Sequence, residues 1–256
     1  MDWQTLTLFL YITARISGAV LFNPLIGRTN IPGMFRAGLV LMLSVFTISM
    51  TQQAARMPGS ILELMVRILL ELFLGFILGM VVQFFLYIPQ LAGHVIDTQM
   101  AMTMNQIYDS GSQSNMSVTG VLLNALMVLL FFAANGHHTL FRIIITSGEC
   151  VPFGAVSFEI AAMVNALLEL FLLCTVLAVK LCMPILAAEL LGQLGMGILM
   201  KVIPQINVFS INIELKVIIG LLLLLLLLSP ISEFLLQAET TMLSSLSEIM
   251  QLAAPS

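Results

Sequence analysis

Residues 61–88 read ILELMVRILLELFLGFILGMVVQFFLYI, and the fold turns on how this stretch is read. It exceeds the roughly 20 apolar residues that a bilayer-spanning helix needs. It is not uniform, however: Glu63, Arg67, Glu71, Gly75, Gly79 and Gln83 recur four residues apart. On a helix, Glu63 with Arg67 and Arg67 with Glu71 can pair along the axis. Gly75 and Gly79 allow another backbone to approach closely. A four-residue ridge drifts by about 40° per step, so the stripe spirals in a way that suits crossing helices. The alternative is a helix end outside the membrane carrying ordinary surface charges. Contact with protein is preferred, because ionisable groups in apolar segments face protein or water instead of lipid.

The rest of the chain sets the same solvent. Of 256 residues, 60% are hydrophobic and 9% charged, against about 25% charged in soluble domains. There is too little polar side chain to cover a water-facing surface, so the chain reads as an integral membrane protein. Nine basic and 13 acidic residues give a net charge of -4, which leaves no basic footprint for nucleic acid. Six apolar stretches qualify or come close as spans: 5–22, 37–50 with its flanks, 61–88, 118–134, 160–183 and 206–229. Helix is the expected form throughout, because lipid demands internally satisfied backbone and no alternating strand pattern is present. Prolines at 24, 32, 58, 89, 152, 184, 204 and 230 are expected to mark breaks. Residues 1–4 lack a basic residue and Arg15 interrupts the first apolar run, so a secretory signal is not expected there. Arginines 28, 36 and 56 give almost no topology signal, a warning that the six stretches are not six ordinary spans.

Three parts of the chain depart from a simple bundle. Residues 97–117 are polar, weakly charged and rich in Met, Ser, Asn and Gln, and Asp109-Ser110-Gly111-Ser112 reads as a turn. Met100, Met102, Met104 and Met116 cluster there; among Thr, Gln, Asn and Ser they suggest a deformable loop that can seal a passage, in preference to core. Tyr108 lies in the same loop. Residues 185–205 are helical in pattern but contain Glu189, Gln193, Lys201 and three glycines. The chain thus divides near residue 155 into a longer N-terminal part and a C-terminal hairpin that turns at Pro204-Gln205. Residues 231–250 are amphipathic, with Leu235, Met242, Leu246 and Ile249 on one face and Glu233, Glu239 and Glu248 as polar neighbours; this tail is expected on a surface or a partner.

Catalytic chemistry finds no support. The chain has no GxSxG, HExxH, Walker A or GxGxxG pattern. Adjacent His137 and His138 diverge by about 100° on a helix, which is poor for one metal. Cys174 and Cys182 would lie about 12 Å apart on one helix, too far for a disulfide. No metal, cofactor or enzymatic activity is expected. Arg15, Glu169, Lys180 and Glu189 are further charges in or beside apolar runs. Acidic groups spaced as a proton relay are absent, so burial against partner subunits is preferred to an ion pathway.

Several motifs together resemble a known family. FFAANGHHTL at 131–140, followed by Ser147 and Val151-Pro152-Phe153-Gly154, is similar to the central motif of the FliR/SctT family of type III export-gate proteins. Ala188-Glu189-Leu190-Leu191-Gly192, Lys201, Pro204-Gln205-Ile206-Asn207-Val208-Phe209 and Leu215-Lys216 resemble its second signature. Arg15, Pro24, Arg28, Pro32 and Arg36 match its N-terminal spacing. The resemblance covers about residues 5–230 and favours the flagellar branch over the injectisome SctT branch. It implies an all-α membrane protein with a FliP-like part at 1–155, a FliQ-like hairpin at 156–230 and a tail at 231–256. It implies a pore subunit of the gate that passes unfolded flagellar subunits across the bacterial inner membrane at the flagellar basal body. FliP, FliQ and FlhB would be partners and 97–117 a plug. Arg15, Glu63, Arg67, Glu71, Gly75, Gly79, Glu189, Lys201, Pro204 and Gln205 would pack subunits. A secondary transporter is the competing class, but the paired broken helices it should show are not evident.

Overall fold

The computed structural model describes residues 3–25, 31–51, 57–102, 106–109, 114–202 and 208–254. Helix dominates them: α1 (Trp3–Leu21), α2 (Gly33–Met50), α3 (Ile61–Gln99), α4 (Val118–Ala133), α5 (Gly136–Cys150), α6 (Ile160–Val202), α7 (Val208–Leu226) and α8 (Leu228–Leu252). Four helices, α1, α2, α3 and α6, are long and apolar enough to cross a membrane. Two bent pairs, α4 with α5 and α7 with α8, bring the number to six if each pair is one span. The fold is that of a helical membrane protein.

The prolines corrected two of the expected breaks. Pro89 lies inside α3 and Pro184 inside α6, and both helices run on. An interior proline removes one backbone hydrogen bond and costs about 3 kcal/mol in water. Here packing holds the turns on either side. Phe85, Ile88 and Ala92 are buried around Pro89, and Leu181, Cys182 and Ile185 around Pro184. The break expected at Pro230 falls at Leu227 instead. Pro230 occupies the first turn of α8, where a backbone N–H has no intrahelical acceptor.

Residues 136–150, which carry the histidine pair, form a full helix. Asn135 precedes it in the left-handed region at φ 58°, a conformation asparagine tolerates better than most residues. The expectation that no strand occurs is also corrected. β1 (Gln106–Asp109) and β2 (Ser114–Ser117) form an antiparallel hairpin with Gln106 opposite Ser117 and Ile107 opposite Met116. The anticipated turn residues Ser110, Gly111 and Ser112 lie outside the described residues, as do Met104, Pro204 and Gln205.

The chain forms two compact units, one of residues 1–85, 132–172 and 239–256, the other of 86–131 and 173–238. This division by contact differs from the division near residue 155 along the sequence, because α3, α4, α6 and α8 each pass from one unit to the other. In the first unit α1 packs on α2 and crosses α3 at glycines. A Cβ added to Gly18 would overlap the Leu72 carbonyl, and one added to Gly75 would overlap the Arg15 carbonyl. Gly79 meets the backbone of Phe22, whose ring stands edge-on to Phe76 at 4.8 Å. The amphipathic tail buries Leu235, Met242, Leu246 and Ile249 within the chain itself. Glu233 and Glu248 are exposed, but Glu239 is buried, contrary to its expected polar position.

Candidate functional site

The spiral stripe on α3 organises a buried polar node in the first unit. Arg15, on α1, is fully buried and meets Glu71 on α3 in a fork: Nε donates to Oε2 at 2.6 Å and Nη2 to Oε1 at 3.1 Å. Planar guanidinium suits this two-point contact, which fixes orientation as well as charge. Nη1 donates to Ser147 Oγ at 3.1 Å and to the Val151 carbonyl at 3.0 Å. The guanidinium carbon lies 4.4 Å from the Phe153 ring centroid, a cation–π distance. Glu71 Oε1 also accepts from Gly154 N at 2.7 Å.

The elbow at 151–154 completes the node. Ala155 N donates to the Pro152 carbonyl at 3.0 Å, closing a turn. Gly154 has φ +79°, and a Cβ there would press on the Tyr11 ring; both the backbone angle and the space call for glycine. Arg67 Nη1 donates to the Gly154 carbonyl at 2.6 Å, and Arg67 also pairs with Glu63 one turn earlier. Glu63 in turn accepts from Gly59 N at 2.7 Å, while its own N–H donates to Ser60 Oγ at 3.2 Å. That exchange satisfies orphan donors at the start of α3.

The expected Glu63–Arg67 pair therefore forms. Among the described residues, Glu71 is committed to Arg15 instead of to Arg67. The charge of Arg15 was expected to find its partner on another subunit; its partner is Glu71 of the same chain, 56 residues away. Ser147 and the Val151 carbonyl were not singled out as ligands of Arg15. The VPFG run and Ser147 were visible as motif, but nothing in their spacing pointed to residue 15.

In the second unit the polar segment is held at both roots. α3 ends in a Schellman motif: Met102 N donates to the Asp97 carbonyl at 2.9 Å and Ala101 N to the Thr98 carbonyl at 3.3 Å. Ala101 takes the left-handed position at φ 58°, where glycine is usual. At the other root Ser117 Oγ caps α4 by accepting from Gly120 N at 3.1 Å, and Asp97 Oδ2 accepts from Thr119 N at 3.2 Å. A Cβ on Gly93 would overlap the Gly120 backbone, so α3 and α4 cross tightly here.

Two methionines depart from the expectation of a deformable loop. Met100 and Met116 are buried, and a Cβ on Gly220 of α7 would overlap the Met100 side chain. They are core, because each stands at a root of the hairpin where neighbouring helices converge. Met102 is half-buried and Tyr108 lies in β1. Glu189 is buried on α6 with Oε1 lacking a hydrogen-bond partner among the described residues. Lys216 of α7 supplies an attractive charge to it. Lys201 is exposed in the last turn of α6, where a cation complements the helix dipole.

The class these features define is a helical membrane protein whose buried ionisable groups join helix to helix. The chain belongs to the bacterial export proteins, family 1, whose model matches residues 6–242. It is similar to the flagellar biosynthetic protein FliR of Bacillus subtilis (strain 168), 27% identical over 87% of this chain and 86% of that relative. The FliR of Escherichia coli (strain K12) is 25% identical over 91% of this chain and 88% of its own length. The Yop proteins translocation protein T of Yersinia pestis is 25% identical over 86% and 85% respectively.

Proposed function

We infer that this chain is a membrane subunit of the flagellar type III protein export apparatus, where it forms part of the export gate. The family match across 6–242 carries this reading, and FliR relatives from several bacteria favour the flagellar system. The similarity to the Yersinia translocation protein supports the related injectisome role as the second reading. Its role is structural: the buried charges found here hold helices in register.

FliP, FliQ and FlhB are the proposed partners and the bacterial inner membrane the proposed location. The N-terminal part, 1–155, corresponds to FliP and 156–230 to a FliQ-like hairpin. Glu189, Lys201, Pro204 and Gln205 are the proposed subunit contacts, since Arg15, Arg67, Glu71, Gly75 and Gly79 already have partners in this chain. Segment 97–117 acts as the plug. Support comes from its roots, fixed at the end of α3 and the start of α4, with a hairpin between them.

Co-expression with FliP and FliQ tests the reading: one large hetero-oligomer should be purified through a tag on this chain. A stable monomer that moves a small solute would overturn it. In an assembled complex, deletion of residues 106–115 should raise ion leakage while assembly persists; unchanged conductance would remove the plug assignment.

A further inference from the structure

The C-terminal helix buries a carboxyl on its apolar face. Residues 239–256 belong to the first unit. From Glu239 onward α8 buries Met242, Ser245, Leu246, Ile249, Met250 and Ala253, and it turns Glu248 outward. Glu239 stands three residues before Met242 and seven before Leu246, so helical periodicity puts it on their face. It is 3% exposed.

Among the described residues nothing compensates that burial. Oε1 has no hydrogen-bond partner, and the carboxyl makes no ion pair. No charged group on a neighbouring helix lies close enough to act on it, and Glu233 and Glu248 of its own helix are exposed. Glu71, by contrast, is buried with three donors. A carboxylate without donors is costly to bury, whereas a protonated carboxyl carries no charge and costs far less. α8 is not one of the four helices that could cross a membrane by themselves. Burial pushes the Glu239 carboxyl up to about 7.

We propose that Glu239 is a proton-sensitive clasp: protonated, it lets residues 239–253 dock, and ionised, it loosens them. Release brings the carboxylate to water and uncovers Met242, Leu246, Ile249 and Met250. The docked carboxyl titrates at about 7, and the released one near the ordinary glutamate value of about 4.3. Docking is therefore strongest below about pH 4.3, weakens as the pH rises towards 7, and changes little beyond.

Hydrogen–deuterium exchange of the full chain in detergent, corrected for the intrinsic effect of pH on exchange, measures the clasp. Protection across 239–252 should fall by at least about tenfold from pH 5 to pH 7, while protection of α1 stays constant. Glu239→Gln keeps the shape without the charge, and its protection should not change with pH. Glu239→Leu puts an apolar side chain in the same place and leaves no polar atom without a partner. It should also be flat, and it serves where the buried amide itself loosens the helix. Glu248→Gln, exposed on the same helix, should keep the wild-type response. A flat profile in the wild-type chain, an undiminished response in Glu239→Leu, or an equal loss of protection in α1 overturns the proposal.

Discussion

Glu71 and Glu189 are both buried carboxyls on long apolar helices, and they are satisfied in different ways. Glu71 accepts three hydrogen bonds, two from Arg15 and one from Gly154. Glu189 keeps one oxygen without a hydrogen-bond partner among the described residues, and Lys216 acts on it only as a nearby charge. Burying a charge is tolerable when it is paired and hydrogen-bonded, and expensive otherwise. The Arg15 node thus closes its electrostatics within the chain, although the first unit also holds Glu239, buried with Oε1 lacking a hydrogen-bond partner among the described residues. Glu189, in the second unit, leaves an acceptor open to a donor.

Removing Arg15 should break this contrast most severely. Arg15→Met leaves Glu71 buried without its counter-charge and should cost about 3–5 kcal/mol, read as a lowered unfolding midpoint in detergent. The double variant Arg15→Met with Glu71→Leu should recover most of it, because a hydrophobic pair replaces the ions. Gly75→Val attacks the same node from below by forcing α1 away from α3, for about 3 kcal/mol of overpacking. Here the midpoint should fall even though every charge is intact.

Glu189→Gln should change the stability of the isolated chain by less than about 1 kcal/mol, since no strong bond is lost. Its effect should appear in the yield of complex with FliP and FliQ. A destabilisation equal to that of Arg15→Met would place both carboxyls in one class and end the comparison. The smallest effect belongs to the loop root. Ala101→Gly relieves a left-handed alanine and should stabilise by about 0.5 kcal/mol, after the glycine's greater unfolded freedom is subtracted. Hydrogen exchange confined to residues 97–102 would show it.

The apolar runs announced the helices, because membrane spans are written in composition. The four-residue stripe on α3 announced a contact surface for the same reason: Glu, Arg and Gly have few uses inside lipid. Partner identity was not legible. Arg15, Glu71, Ser147 and Gly154 lie far apart along the chain, and pairing at that distance leaves no periodic trace. Pro89 and Pro184 misled for a related reason, since local propensity yields where buried residues hold the helix on both sides of the proline. α5 was hidden by its polar start, and the short hairpin by a segment rich in turn formers. Met100 and Met116 show that a polar neighbourhood in sequence can still be a packed one in space.

The Arg15 node also has a schedule. Ribosomes add about 5–20 residues per second, so Glu71, 56 residues after Arg15, follows it by about 3–11 s. The Val151 carbonyl, 136 residues on, arrives after about 7–27 s. On this schedule α1 meets its counter-charge once α3 has been made, whereas the remaining acceptors of the guanidinium, Ser147 and the Val151 carbonyl, come only after more than half of the chain.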